Sequence, residues 1–143
     1  MTTTVETVTR TSTAPGRAGR ITGVVLTAGL TLFCLSDAVT KLLSVPGVVE
    51  ATSRLGFPPE TVPVIGATLL VCVALYLVPR TSILGAVLLT GYLGGAVCSQ
   101  LRIEAPLFST MLFPVYFGIL VWVALYLRNA QVREIVRGMA TGR

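Results

Sequence analysis

Asp37 and Lys41 are the residues best placed to do chemistry, because they are charges set inside an apolar block, F-C-L-S-D-A-V-T-K-L-L over 33–43. A lone charge at mid-membrane costs about 2.5–3.5 kcal/mol on insertion scales, so such residues invite a functional question. Four positions apart with the acid first, they sit one helical turn apart in the better order for an ion pair. Asp37 follows Ile21 by sixteen residues, about 24 Å along a helix axis, close to the far edge of a hydrocarbon core. The same arithmetic puts Gln100 at that edge of a later block that starts at Ile83, with Arg102 and Glu104 directly after it. Thr68, Ser109 and Thr110 fall in the same layer. Two readings of the cluster Asp37, Lys41, Gln100 and Arg102 stand open: polar helix ends held by a structural ion pair, or a shallow pocket opening outward.

Other chemistries find little support. There is no histidine, which removes the commonest metal ligand and the usual general base together. Cys34, Cys72 and Cys98 lie in apolar blocks without a C-x-x-C pair and read as small hydrophobes, with no disulfide framework implied. No metal-ligand cluster or catalytic residue is expected, and the residue types imply no cofactor. Gly91, Gly94 and Gly95 stand within an apolar run, so they read as helix-packing glycines and not as a phosphate loop.

The elements that carry these residues follow from hydropathy. The 143 residues are 53% hydrophobic and 12% charged, and the mean hydropathy is +0.83. So few charges could not coat a water-soluble surface. Four apolar spans emerge, at about 21–43, 62–78, 83–101 and 107–127, each long enough or nearly so to cross a bilayer. The second is the shortest and could begin earlier, near Glu60. Pro79-Arg80-Thr81-Ser82 forces spans two and three into a tight antiparallel hairpin, with Ser82 a candidate helix cap. In the longer loop, Val48, Val49, Thr52 and Leu55 recur at helical spacing before Gly56-Phe57-Pro58-Pro59 stops the pattern, which predicts a short helix at the membrane interface. Residues 1–20 lack apolar periodicity and read as a disordered tail without signal cleavage. Residues 129–143 read as a basic C-terminal tail.

Charge placement orients the chain. With the N-terminus inside, Arg10, Arg17, Arg20, Arg80, Arg128, Arg133, Arg137 and Arg143 lie on the inner side, and Lys41, Arg54 and Arg102 on the outer. That bias predicts both termini in the cytoplasm. It also accounts for the net charge of +5 by the anionic leaflet, with no nucleic acid required. The expected architecture is an all-α, integral membrane four-helix bundle. Gly23, Thr27, Thr31, Cys34, Ala38 and Lys41 form a small, polar stripe on span one that should face inward. Ala86, Thr90, Gly91, Gly94, Gly95 and Cys98 do the same for span three, either inside the bundle or as a homodimer face. Pro114 should bend span four and free the Thr110 carbonyl. The inner halves of all four spans read as almost purely apolar.

The order of these features resembles the DoxX-like family of small four-helix membrane proteins. The matching stretches are D-A-V-T-K-L-L (37–43), L-G-F-P (55–58), L-Y-L-V-P-R-T (75–81), L-G-A-V-L-L-T-G-Y-L-G-G-A-V (84–97) and P-L-F (106–108). The resemblance implies a helical bundle in the bacterial cytoplasmic membrane. Through the family's namesakes it also implies a link to quinone-reducing sulfur oxidation, so a quinone is a cofactor by resemblance only. Many relatives carry a Glu in the second span and a His in the segment after G-G-A-V; aligned on the shared blocks, those positions here are Leu69 and Gln100. This chain departs from the pattern at both, which argues against proton or redox chemistry that relies on them. Three functions remain, in descending order. The first is a structural or partner-binding membrane protein, its partner another membrane protein or a second copy. The second is a membrane subunit of a quinone-linked redox system, and the third a small-solute transporter, for which broken helices and inverted repeats are lacking.

Overall fold

The computed structural model describes residues 17–106 and 110–140. Among the described residues the regular elements are all helical: α1 (Arg17–Leu42), α2 (Pro46–Arg54), a 3-10 turn (Pro59–Thr61), α3 (Val62–Leu77), α4 (Ser82–Arg102), α5 (Phe113–Arg128) and α6 (Ala130–Ala140). Proline stands in the first turn of α2, α3 and α5, where its missing N–H has no intrahelical partner to lose. Pro114 therefore starts α5 and does not bend it. The expected mid-span kink is absent because the fourth helix begins at Phe113, after a π turn at Thr110–Met111. The expected start of that span, at 107, lies outside the described residues, as does the tail up to residue 16. Residues 17–20, assigned to the tail from sequence, are instead the first turn of α1.

The four long helices form a closed ring of neighbours: α1 packs on α3 and α5, and α4 packs on the other side of both. One end carries the tight α3–α4 turn and the junction of α5 with α6; we call it the hairpin end. The other carries the 43–61 and 103–112 connections and is the loop end. α1 buries Gly23, Thr27, Leu30, Cys34 and Ala38, so its small stripe faces inward, with Leu30 in the place expected of Thr31. Close crossings use glycine where a side chain would collide. A Cβ on Gly23 would stand 2.7 Å from Leu127 Cβ, and one on Gly85 would overlap the Tyr76 amide and lie 2.7 Å from the Leu75 carbonyl carbon.

The outward faces are apolar. Ile21, Val25, Leu32, Val71, Leu84 and Ile119 are all more than half exposed. In the helices long and apolar enough to cross a membrane (Arg17–Leu42, Pro59–Leu77 and Ser82–Arg102), only 28%, 33% and 22% of the most apolar stretch is buried. So much outward apolar surface is stable against lipid tails and not against water. A fourth candidate joins α5 to α6, but the two are bent by 102°. Taken alone, α5 has 16 residues, about 24 Å of helix.

Helix ends show why the chain turns where it does. At the loop end, α1 and α4 stop in the same way. Val45 N–H donates to Thr40 O at 3.1 Å and Ala105 N–H to Gln100 O at 3.1 Å, around Ser44 (φ 49°) and Glu104 (φ 51°) in the left-handed region. This is the six-to-one closure that helix ends use to satisfy carbonyls. At the hairpin end, Asn129 Oδ1 accepts the Gln131 N–H at 2.9 Å, capping α6. Arg133 donates back to Leu127 O at 3.0 Å and Tyr126 O at 3.3 Å. Within the basic C-terminal segment, residues 130–140 form an amphipathic helix, with Val132 buried and Ile135, Val136 and Met139 exposed.

Candidate functional site

The structure joins Lys41 to Asp37, and among the described residues neither Gln100 nor Arg102 shares a side-chain hydrogen bond or ion pair with them. Lys41 Nζ donates to Asp37 Oδ1 in an ion pair; the lysine side chain is 15% exposed and the aspartate 36%. Two features fix this turn. Thr40 Oγ1 donates to Asp37 O at 2.9 Å. Gly66 of α3 lets α1 approach: a Cβ there would stand 2.8 Å from Lys41 Cβ and 2.9 Å from Ala38 O. Cys34, three residues before Asp37, belongs to the buried core, and Tyr92 packs against that core. Arg102 goes elsewhere. Its guanidinium covers Gly56, where a Cβ would meet Nη2 at 2.5 Å; the φ of +87° at Gly56 also favours glycine. Gln100 contributes its carbonyl to the end of α4. Neither of the two main cavities is lined by any of these four residues.

Leu69 is a core residue at 3% exposure. Among the described residues, no three His, Cys, Asp or Glu side chains gather as metal ligands would.

The hairpin end is more polar than the sequence suggests. Tyr76, 2% exposed, donates its hydroxyl to Val121 O at 3.0 Å. Arg128 lies over the Tyr76 ring, 4.6 Å from its centroid, and donates to the Tyr76 carbonyl. Ser82, 1% exposed, does not cap α4. Its hydroxyl donates to Pro79 O at 3.1 Å and accepts from Asn129 Nδ2 at 3.1 Å. Thr81 Oγ1 donates to Leu75 O at 2.9 Å. Sequence reasoning missed this network because its members are far apart in the chain and each looks like an ordinary helix end. An antiparallel count would have found it, since it sets residues 128–129 beside the 79–82 turn. A cavity of about 480 Å³ sits here, lined by Arg80, Ser82, Arg128, Asn129 and Gln131 among others. A second, of about 470 Å³, is mostly apolar and runs along α1 to the same Arg128.

The glycines of α4 do not pack inside the chain. α4 buries Ser82, Gly85, Ala86 and Leu89 and nothing beyond. A Cβ on Gly91, Gly94 or Gly95 would meet no atom within 4 Å. These residues continue the outward stripe of Leu84, Val87 and Leu88, and Cys98 is exposed on the same side. Of the two placements open from sequence, the packing of these glycines within one chain is therefore not what the structure has. Trp122 Nε1 donates to Thr90 Oγ1 at 3.0 Å, holding α5 beside this half of α4.

The sequence profile of the DoxX-like family matches residues 25–124. That range runs from the third turn of α1 to near the end of α5; it takes in Asp37, Lys41, Tyr76 and Ser82 and stops short of Arg128 and Asn129. No curated protein and no solved structure matches the chain.

Proposed function

From the premise that the chain belongs to the DoxX-like family, we propose that it is a partner-binding protein of the bacterial cytoplasmic membrane. The reading is a four-helix transmembrane bundle with both termini in the cytoplasm, docking another transmembrane helix on the outward face of α4. The observation that carries it is the open face at Gly91, Gly94 and Gly95. Glycine inside a helix costs about 1 kcal/mol relative to alanine. Here three such residues give no packing in return within the chain. Small residues on a lipid-facing surface allow a second backbone to come close, which is what drives helix association where lipid removes the hydrophobic drive. The orientation rests on the arginines gathered at the hairpin end and the two termini.

A photo-activatable side chain placed at Val87 in native membranes tests this reading against one at Leu32, on the outward face of α1. Protein adducts from Val87 and only lipid from Leu32 are expected. The same outcome from both positions would remove the partner face.

The quinone-linked alternative has one observation in its favour: Cys34, three residues before Asp37 on α1, belongs to the core cluster against which Tyr92 packs. It requires a quinone analogue to change the emission of Trp122 or the melting temperature of the purified protein. No change in either counts against it.

A further inference from the structure

We propose that the hairpin end binds the phosphate headgroup of an anionic phospholipid between Arg80 and Arg128, with one acyl chain lying in the apolar groove along α1. The first observation is the cavity. Its lining includes Arg80, Arg128, Ser82, Asn129 and Gln131, and no acidic residue. Neither arginine is ion-paired among the described residues. Arg80 is exposed. Arg128 is held in place by the Tyr76 carbonyl and ring, leaving most of its five donors for an anion. Arginine forks match phosphate oxygens in pairs. α6 begins at Ala130 on the cavity wall, and its N-terminal dipole adds to the same attraction.

The second observation is independent of charge. Arg128 also lines the groove formed by Val24, Ala28, Thr31 and Leu35 of α1 with Leu77 of α3. From Val24 to Leu35 that groove is about 16 Å long, roughly half of a 30 Å hydrocarbon core and so the depth of one leaflet. Val24 and Leu32 are more than half exposed along it, so it opens on the lipid side. One residue thus joins a cationic cavity to an apolar trough of leaflet depth. That shape fits a molecule with an anionic head and a hydrocarbon tail. A free phosphate would use the cavity and leave the trough unexplained. Basic pockets at the cytoplasmic ends of membrane helices are known to hold such headgroups. Neither the partner face of α4 nor the orientation of the chain enters the test below.

The full chain, purified in a neutral detergent, is titrated separately with dioleoylphosphatidylglycerol, dioleoylphosphatidylcholine and inorganic phosphate. Bound lipid is counted by native mass spectrometry and the melting temperature is followed. Phosphatidylglycerol is expected to be retained and to raise the melting temperature, with phosphatidylcholine and inorganic phosphate doing neither. Arg80→Gln, on an exposed turn, should weaken phosphatidylglycerol binding about tenfold, the loss of one charge-assisted contact. Ala28→Trp should fill the groove and do the same, and Arg54→Gln at the loop end should change nothing. Equal retention of both lipids, or unchanged binding by Arg80→Gln, overturns the headgroup site. Inorganic phosphate protecting as well as the lipid, with Ala28→Trp silent, overturns the lipid as its occupant.

Discussion

The two ends of this molecule are built on opposite plans. At the hairpin end every long helix is pinned. Gly23 lets α1 touch α5, Gly85 lets α4 touch α3, and Tyr76, Ser82, Arg128 and Asn129 tie α3, α4 and α5 together by hydrogen bonds. At the loop end α1, α3 and α5 stay together, through Gly66 and through the Phe33–Phe113–Phe117 ring cluster with centroids 5.3–6.0 Å apart. α4 does not join them as closely: it buries no residue past Leu89. Glycine serves both plans, by contact at Gly23, Gly66 and Gly85 and by openness at Gly91, Gly94 and Gly95. The lesson is that the same residue in the same helix can be internal mortar or an external notch, and only its neighbours decide which.

Substitutions sharpen this contrast, the sharpest first. Gly85→Ala should lower stability by about 3 kcal/mol or more, because the new methyl meets backbone that cannot move alone. Thermal unfolding in detergent reads this directly, and a melting temperature near that of the parent would remove the tight hairpin end from the account. Gly66→Ala should cost about 1–3 kcal/mol and disturb the Asp37–Lys41 turn with it. Ser82→Ala should cost about 1–2 kcal/mol, since the part-buried Pro79 carbonyl bond and the Asn129 amide bond to the Ser82 hydroxyl are both lost. Lys41→Met leaves a part-exposed carboxylate unpaired and should cost about 1 kcal/mol, with Asp37→Asn in the same chain restoring it; a double-mutant cycle measures that coupling. Thr31→Val is the smallest. The Thr31 hydroxyl is buried without a partner, so the isosteric methyl should be neutral or stabilising by up to about 1 kcal/mol.

Much of this was legible in the residues. Three long apolar helices, the loop helix and the Asp37–Lys41 pair follow from hydropathy and from spacings of three and four, which depend only on local geometry. The inward stripe of α1 follows from the same rule. What was not legible depends on how one helix is rotated against another. The glycine pattern of α4 reads the same whether it faces in or out, and Arg102 could not be separated from Lys41 by depth alone, although it lies over Gly56. The Tyr76–Arg128 contact joins residues 52 positions apart. Pro114 looked like a kink because the start of its helix depends on how the 103–112 connection folds. α6 was hidden by its arginines, although Val132, Ile135, Val136 and Met139 already had helical spacing.

The claim that α4 turns its glycines to a partner is tested most directly by Gly91→Leu combined with Gly95→Leu. The readout is disulfide cross-linking through Cys98 in native membranes, scored for a second copy and for other proteins alongside the melting temperature of the purified chain. The account predicts that cross-linked product present in the parent is lost while the melting temperature stays within a few degrees, a stability change of under about 1 kcal/mol. Undiminished cross-linking, or a chain that no longer folds, would contradict it.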